Sequence, residues 1–383
     1  MEKHNTIDLK GLLRLIQHTP DLNFISLANT PWHISAIEAA LLWLQDQGVK
    51  PKGICLVQPH YLAGYVCGED TYTNEFSQKF LFVPDKPGKK HLRPWMKKRY
   101  RMMHFAYLDK KKGQNEENFY QLGTYVNLEM GTYLHTTLRH RHVVQLLTDE
   151  GVGTYLGTLN IECPPPTFNF KSFIKKPDSL SAWQYFRLQE YIAKHHEVKN
   201  LRLFLQDADG SVRVNTEIAP YFKKAIENEA KKTYNGSEVP DLSDKILICT
   251  TAWIRDKVFE EEDFRVLKSV CDDLHQRGYK LLLKPHPRDN FFASRAAELH
   301  AELLRTPYSM EVLCAINPPK AIVCYSSTAL VTAKLFWDIP AYCLCKMLDQ
   351  SKLGVLYQKE SENFSHVFKR YLILPQTSGE INP

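Results

Sequence analysis

Two adjacent carboxylates follow a short apolar segment near the middle of the chain. Residues 143–147 are mainly apolar, and Asp149, Glu150 and Gly151 come shortly after them. Two acids at the end of a strand suit general-base chemistry, because like charges close together raise the pKa of one carboxyl group. Gly151 and Gly153 allow a tight turn or the close approach of a ligand. A simple turn that ends a strand is the alternative interpretation.

A histidine between two prolines follows a second apolar segment. Residues 281–288 read Leu-Leu-Leu-Lys-Pro-His-Pro-Arg, with the imidazole at His286. The prolines restrict the backbone on both sides, so a strand that ends this way presents the imidazole rigidly. With Lys284 and Arg288 as nearby cations, His286 could stabilise or protonate a leaving phosphate. The alternative is a histidine with a structural role.

Three hydroxyl residues, Ser326, Ser327 and Thr328, join a third apolar strand to a predicted helix. Hydroxyl groups and unpaired backbone N–H groups at a helix N-terminus form a phosphate-binding site. Ordinary capping of the helix by serine or threonine is the alternative. The sequence contains no Gly-x-x-x-x-Gly-Lys-Ser/Thr loop, which argues against a P-loop nucleotidase.

Two further patterns bear on metal binding. Asp207 and Asp209 have the Asp-x-Asp spacing of metal-dependent sugar transferases, but Gly210 follows them between two short strands, so a hairpin turn is the better interpretation. The nine cysteines are odd in number and scattered, which favours reduced thiols over a disulfide framework. Cys343 and Cys345 would share one face of a strand, with no second pair at zinc spacing. We therefore expect no metal and no cofactor.

The elements that must position these residues alternate between strands and helices, which predicts an α/β fold with parallel strands. Strands are predicted at residues 23–28, 53–57, 79–83, 125–128, 142–147, 245–249, 279–283, 321–325 and 341–344. Helices are predicted at residues 35–47, 260–277, 290–305 and 328–336, and a hairpin at residues 199–206 and 211–215. In open α/β sheets ligands bind beyond the carboxyl ends of the strands, where all three polar segments lie.

The chain length predicts two domains, because 383 residues are more than twice a typical domain of roughly 150 residues. Residues 231–244 form a turn-rich cluster between two periodic regions and mark the best boundary. We therefore expect Rossmann-like domains at residues 1–235 and 245–383, with an active site in the cleft between them.

The positive charge is concentrated in one stretch. The formal net charge is +6, yet residues 86–112 alone carry +10 and the rest of the chain −4. This basic stretch also contains His91, Trp95, Tyr100, His104 and Tyr107, whose rings could stack on a ligand. A solvated basic surface is one interpretation, and a site for a polyanion (nucleic acid, anionic lipid or acidic polysaccharide) is the other.

The composition excludes several classes of protein. Hydrophobic residues are 44% and charged residues 24%, which is ordinary for a globular chain and excludes wholesale disorder and collagen-like architecture. The longest apolar run, residues 37–44, is broken by Glu38 and is far shorter than the ~20 residues of a membrane-spanning helix. The first residues contain no signal-peptide apolar stretch. We therefore expect a cytoplasmic protein, with the apolar N-terminal residues 7–16 packed on a core rather than on a membrane.

Taken together, the three polar segments resemble the motifs of bacterial sialyltransferases, and most closely those of the capsular polysialyltransferase family. The family's acidic-acidic-Gly motif corresponds to Asp149-Glu150-Gly151, its His-Pro motif to His286-Pro287 and its Ser/Thr-Ser pair to Ser326-Ser327, in the same order. Similarity continues around the motifs, from Gly151 to Tyr155 and around Trp253 and Asp256. Residues before 140 match loosely, around Asn29-Thr30-Pro31-Trp32-His33.

The resemblance implies a GT-B fold, with two Rossmann-like domains facing across a cleft. It implies an inverting, metal-independent transfer of sialic acid from CMP-sialic acid. In this hypothesis the N-terminal domain binds the acceptor and carries the general base, Asp149 or Glu150, with Asp149 preferred. The C-terminal domain binds the CMP-sugar, and His286 stabilises or protonates the departing phosphate. The expected donor-binding residues are Ser326, Ser327, Thr328, Lys284, Pro287 and Gly151.

An acidic glycan acceptor gives the basic stretch a role, because an extended positive surface would retain a polymer with one carboxylate per sugar. The expected acceptor-binding residues are His33, Lys97, Lys98, Arg99 and Arg101. The stretch could equally dock the protein on the inner membrane or on export machinery for a capsule. Alternatives are a monosialyltransferase acting on lipooligosaccharide, a transferase using another CMP- or CDP-activated donor such as CMP-Kdo, and a non-catalytic polyanion-binding protein.

Overall fold

The structure is a computed structural model. It describes residues 6–28, 30–57, 77–82, 97–98, 100–101, 104, 117–124, 130, 134, 138, 141–156, 184, 187–188, 191, 194, 197–233, 241–250, 257–286, 289–306, 308–353 and 355–383. These residues group into two units. Unit 1 contains the described residues up to Asp149 together with residues 184–202, and unit 2 contains residues 150–156 and 203–383.

Unit 1 is built on a seven-stranded sheet in which every neighbouring pair of strands is parallel. The strand order is β1-β4-β3-β2-β5-β6-β7. The bounds are β1 Thr6–Ile7, β2 Phe24–Ala28, β3 Gly53–Val57, β4 Ser77–Phe82, β5 Glu117–Gly123, β6 Arg141–Leu147 and β7 Glu197–Asn200. β3 is buried along its whole length, as expected of a parallel strand covered on both faces.

Two helices of unit 1 pack against this sheet. Helix α1 (Leu9–His18) begins at Asp8, whose side chain accepts a hydrogen bond from the Gly11 amide at 2.7 Å. Its residues Leu12 and Ile16 belong to the hydrophobic core, so the N-terminal segment packs on the core as predicted. Helix α2 (Pro31–Asp46) contacts β2 and β5 and is buried along most of its length.

Unit 2 contains a five-stranded parallel sheet in the order β12-β11-β10-β13-β14, and a separate antiparallel hairpin, β8-β9. The strands are β8 Phe204–Gln206, β9 Val212–Val214, β10 Lys245–Cys249, β11 Lys280–Lys284, β12 Ala301–Leu303, β13 Ala321–Cys324 and β14 Ala341–Cys343. The helices are α3 Ala219–Thr233, α4 Lys257–Gln276, α5 Asn290–Ser294, α6 Met310–Ile316, α7 Thr328–Trp337 and α8 Val355–Val367.

The expected α/β class with two Rossmann-like units is confirmed, because each unit has a parallel sheet flanked by helices. The predicted helix over residues 290–305 is wrong. Helix α5 ends at Ser294, a short 3₁₀ turn follows, and His300 adopts a left-handed conformation with φ of 51°. The chain then forms β12, since pairing with β11 satisfies backbone groups that a longer helix would leave at the edge of the sheet.

Strand β5 is missing from the predicted elements, although it is central in its sheet. Its first two residues are exposed and its side chains mix polar and apolar types, so the segment lacks the apolar run of its neighbours. The strand predicted at residues 125–128 lies outside the described residues. The predicted hairpin is present, but its first strand is divided: β7 pairs with β6 in unit 1, whereas β8 pairs with β9 in unit 2.

The division between the units differs from the predicted boundary at residues 231–244. Residues 203–233 group with unit 2 because helix α3 packs against helix α6, and Phe204 contacts Phe368 at a ring-centroid distance of 5.6 Å. The predicted boundary therefore lies within unit 2, between helix α3 and strand β10.

Two further expectations concern the environment of the chain. No helix in the described ranges is long and apolar enough to cross a membrane. The seven described cysteines are buried thiols, and burial raises the pKa of Cys249 and Cys271 to about 12. These two thiols are therefore protonated at neutral pH.

Candidate functional site

The carboxylate of Asp149 lies just beyond the carboxyl end of β6 in unit 1. The Asp149 residue is only 1% exposed, and its Oδ1 accepts a hydrogen bond from the indole Nε1 of Trp32 at 3.2 Å. Trp32 is in the first turn of α2, which Thr30 caps by accepting a hydrogen bond from the His33 amide at 3.2 Å. An N–H donor favours the ionised form of a buried carboxyl group, so the arrangement suits a carboxylate that must accept a proton.

His33, one position after Trp32, has a different environment. It is 3% exposed, and burial lowers the pKa of its imidazole to about 4. The side chain is therefore uncharged at neutral pH. An acceptor carboxylate would meet neither an exposed ring nor a positive charge at His33, and this does not fit the predicted acceptor-binding role.

The segment that follows Asp149 belongs to unit 2. Gly151 has φ of 108°, in the region that favours glycine, and the chain then forms a 3₁₀ turn over Val152–Thr154. The Val152 amide donates a hydrogen bond to Oγ1 of Thr328 at 3.2 Å. Tyr155 anchors the end of the segment, since its hydroxyl accepts a hydrogen bond from the Phe204 amide at 3.1 Å. The acidic-acidic-Gly motif is thus followed by a segment bound to the N-terminus of helix α7.

His286 follows β11 in unit 2, and both sides of its backbone are bound. Its amide donates to Oγ1 of Thr250 at 2.9 Å, and its carbonyl accepts from the Asp289 amide at 2.7 Å. The side chain is partly exposed. The sequence analysis did not single out Thr250, whose only signal is its place directly after strand β10. Pro287, predicted to help bind the donor, lies outside the described residues.

Lys284, at the end of β11, is largely enclosed by protein. Burial lowers the pKa of its ammonium group, while the nearby Cys249 and Glu311 oppose that shift. Burial likewise raises the pKa of Glu311. The Lys284 charge therefore interacts with Glu311 inside unit 2, beside the backbone that carries His286.

The hydroxyl residues lie at the start of α7. Ser327 caps the helix by accepting a hydrogen bond from the Ala329 amide at 3.2 Å, and Ser326 is 8% exposed. The preceding residue, Tyr325, is bound at several points. Its hydroxyl donates to the Asp263 carbonyl at 2.8 Å, and its own carbonyl accepts from the thiols of Cys343 and Cys345 at 2.9 and 3.1 Å. The two cysteines thus bind the residue before the serine pair, a contact that their spacing alone did not indicate.

The topology of unit 2 brings the second and third motifs to one sheet edge. β10 lies between β11 and β13, with Cys249 opposite Lys284 and Ile248 opposite Val323. His286 and Ser326 therefore follow the strands on either side of β10, and these two strands are about 10 Å apart, which is two strand spacings.

The Asp-x-Asp segment is a hairpin turn, as predicted. The Asp207 carboxylate accepts hydrogen bonds from Arg213 and Arg370 at 3.1 and 2.8 Å, and Asp209 accepts one from Lys369 at 2.8 Å. These cations occupy the carboxylates that a metal would need. Among the described residues, no cluster of three or more His, Cys, Asp or Glu side chains is arranged to hold a metal ion.

Only part of the basic stretch is described. Lys97, Lys98 and Arg101 are exposed, and the rings of Tyr100 and His104 lie 5.4 Å apart. Arg99 lies outside the described residues, as do most other members of the stretch. The exposed cations are accessible to a ligand, which the predicted acceptor-binding role requires.

The sequence matches the model of one known protein family. The model of the family described as alpha-2,8-polysialyltransferase (POLYST) matches residues 116–346, which is more than half of the chain and includes all three motifs. No curated protein matches the chain at a significant level.

Solved structures with a similar backbone are distant in sequence. An alpha/beta-galactoside alpha-2,3-sialyltransferase from Photobacterium phosphoreum is 11% identical, with a TM-score of 0.46 and coverage of 97% of this chain and 99% of that one. A sialyltransferase from Photobacterium damsela is 13% identical, with a TM-score of 0.44 and coverage of 92% and 81%. The E. coli heptosyltransferase WaaC with ADP is 12% identical, with a TM-score of 0.39 and coverage of 94% and 97%.

Proposed function

The chain belongs to the alpha-2,8-polysialyltransferase family and is a sialyltransferase, and we propose that it moves sialic acid from CMP-sialic acid to an acidic, sialylated glycan. The family match over residues 116–346 carries this proposal. The sheet edge of unit 2, where His286 and the hydroxyl residues flank Thr250, supplies the chemistry that a nucleotide phosphate requires.

In the proposed donor site the phosphate of CMP lies at the N-terminus of helix α7. The N-terminus of this ten-residue helix is the positive end of its dipole, which favours an anion. The hydroxyls of Ser326 and Ser327 add hydrogen-bond donors. A nucleoside monophosphate carries less charge than a diphosphate, so these donors and an imidazole can stabilise the leaving group without a metal. The charge of Lys284 interacts with Glu311 inside unit 2, so Lys284 would act by holding the His-Pro segment in place and not by binding the phosphate.

The proposed reaction is a single displacement that inverts the anomeric carbon. The acceptor hydroxyl oxygen forms a bond to that carbon while the bond from the carbon to the phosphate oxygen breaks. Asp149 takes the proton from the attacking hydroxyl, and the imidazolium of His286 gives a proton to the departing CMP phosphate. The hydrogen bond from Trp32 favours Asp149 over Glu150 as the base, because it holds one carboxylate oxygen in place.

The donor and the acceptor are tested with the full chain and product mass spectrometry. CMP-sialic acid is supplied with fluorescent lactose, a GM3-like glycan or an oligosialic acid, with and without a chelator. We expect stepwise addition of sialic acid to the oligosialic acceptor, unaffected by the chelator. Transfer to lactose alone would indicate a monosialyltransferase, and consumption of CMP-Kdo instead of CMP-sialic acid would overturn the proposed donor.

The proposed roles are tested in the same assay with Asp149→Asn, Glu150→Gln and His286→Ala. General acid–base groups contribute about 10²- to 10⁴-fold to a rate, so kcat should fall by that factor for Asp149→Asn and His286→Ala, and much less for Glu150→Gln. His275→Ala removes an exposed imidazole elsewhere in unit 2 and serves as the control. A larger loss of kcat in Glu150→Gln than in Asp149→Asn would assign the base to Glu150.

A further inference from the structure

The indole of Trp32 has a role that the motifs do not assign. We propose that Trp32 is a positioning residue for Asp149, which it holds in the ionised form and in one orientation by donating its N–H to Oδ1. This inference rests on the proposed role of Asp149 as the general base. Trp32 and Asp149 are 117 residues apart in the sequence, and both belong to unit 1.

The position of the indole is fixed by the start of helix α2. Thr30 caps this helix, and Pro31 is its first residue, where a fixed φ suits the first turn. His33 is buried directly after Trp32, so the first turn is held against the rest of unit 1. An indole on such a turn loses little further freedom when it donates to Asp149. The donor is therefore preorganised, as an orienting group for a catalytic base must be.

The electrostatic reason is the burial of the carboxylate. A carboxyl group that is 1% exposed has lost most of its contact with water, which favours the protonated form unless donors are present. The N–H of Trp32 supplies such a donor at 3.2 Å. The titratable residues beside this pair in the chain are Glu150 and His33, and His33 is uncharged at neutral pH. Loss of the donor should therefore make Asp149 easier to protonate.

The test compares Trp32→Phe with Trp43→Phe. Trp43 lies in the same helix, is 6% exposed and contacts Lys199 with its ring, so its replacement removes an indole from α2 away from Asp149. A hydrogen bond to a charged group corresponds to about one pH unit or more. In Trp32→Phe the acid limb of the kcat/KM profile should move up by about one pH unit, which lowers the rate on that limb about tenfold. Trp43→Phe should leave the limb in place.

A second measurement follows the contact without turnover. In protein labelled with ¹⁵N-tryptophan, the indole N–H signal that Trp32→Phe removes should shift with pH along the same curve as the acid limb. In Asp149→Asn that titration should vanish. An unmoved acid limb in Trp32→Phe, or an indole signal that does not titrate, would overturn the positioning role. An active Asp149→Asn enzyme would instead reject the proposed base, whatever the indole signal does.

Discussion

At the scale of single residues, burial separates side chains that look alike in the sequence. His286 belongs to a proposed catalytic motif, and His33 follows Trp32, which contacts Asp149 of another. His33 is buried and its pKa is lowered to about 4, whereas His286 is partly exposed and its backbone amide is bound to Thr250. Desolvation disfavours the charged imidazole, so His33 suits packing rather than proton transfer.

The burial of His33 predicts how the stability of the protein depends on pH. The unfolded chain binds a proton on His33 below about pH 6.5, but the folded chain binds it only near pH 4. Within that window the unfolded state holds more protons, so the free energy of unfolding falls as the pH falls. We expect His33 to account for a loss of about 2–3 kcal/mol between pH 7 and pH 4.

Urea unfolding of the wild type and of His33→Phe across this range measures the effect. Other titrating groups are common to both proteins, so the difference between the two pH profiles isolates His33. The wild type should lose more stability on acidification than the variant. Parallel profiles would show that the pKa of His33 is the same in the folded and the unfolded protein.

At the scale of elements, the functional segments are short connections bound to regular structure. The Gly151–Thr154 turn is attached to helix α7 through Val152 and Thr328, and the His286 segment is attached to the end of β10 through Thr250. Each attachment is a hydrogen bond between a backbone amide and a threonine hydroxyl. Helix α7 and strand β10 determine where the two threonines lie, and the threonine hydroxyls hold the Gly151–Thr154 turn and the His286 segment in place.

Gly151→Ala should damage the activity more than its effect on stability explains. With φ of 108°, a side chain at Gly151 strains the backbone by about 1–3 kcal/mol and displaces the Val152 amide from Thr328. Gly48→Ala is the matched control, because Gly48 has φ of 80° and open space where its Cβ would be. Both variants should lower Tm, and only Gly151→Ala should lower kcat at a temperature where both are folded. Equal activities would show that the turn does not contribute to catalysis.

At the scale of the whole molecule, the positive charge is concentrated in one stretch, and unit 2 is built from separate segments of the chain. The basic stretch 86–112 carries +10 in a chain whose net charge is +6. Unit 2 takes residues 150–156 from the middle of the chain and begins its main segment at Leu203. The acidic-acidic-Gly motif is thus divided after Asp149, with Glu150 and Gly151 in the other unit.

The concentrated charge predicts a salt-sensitive reaction with polymeric acceptors. Between about 50 and 300 mM salt, kcat/KM for an oligosialic acceptor should fall about tenfold or more, because screening weakens contacts with many carboxylates. The rate with fluorescent lactose should change little. Lys97→Glu/Lys98→Glu should weaken the salt dependence, and Lys231→Glu/Lys232→Glu, an equal charge change on exposed positions of α3, should not. Equal salt dependence for both acceptors would exclude a polymer-binding role for the stretch.

Most strands and the three motifs could be predicted from the sequence, because both depend on local patterns. An apolar run such as residues 281–283 indicates a buried strand, and polar residues after it must lie at the end of that strand. The predicted helix at residues 290–305 failed because pairing of β12 with β11 is a contact between distant segments. The assignment of residues 203–233 to unit 2 depends on packing of α3 against α6 for the same reason.

The chemistry available to the chain was therefore determined by its sequence: a carboxylate pair, an imidazole and a run of hydroxyls, each beyond a strand. The tertiary structure alone decided which neighbours tune them. It formed the hydrogen bonds between Trp32 and Asp149, between Thr250 and the backbone of His286, and between two cysteine thiols and the carbonyl of Tyr325. Hydrogen bonding and desolvation act between groups that the fold brings together, and no local pattern records which groups those are.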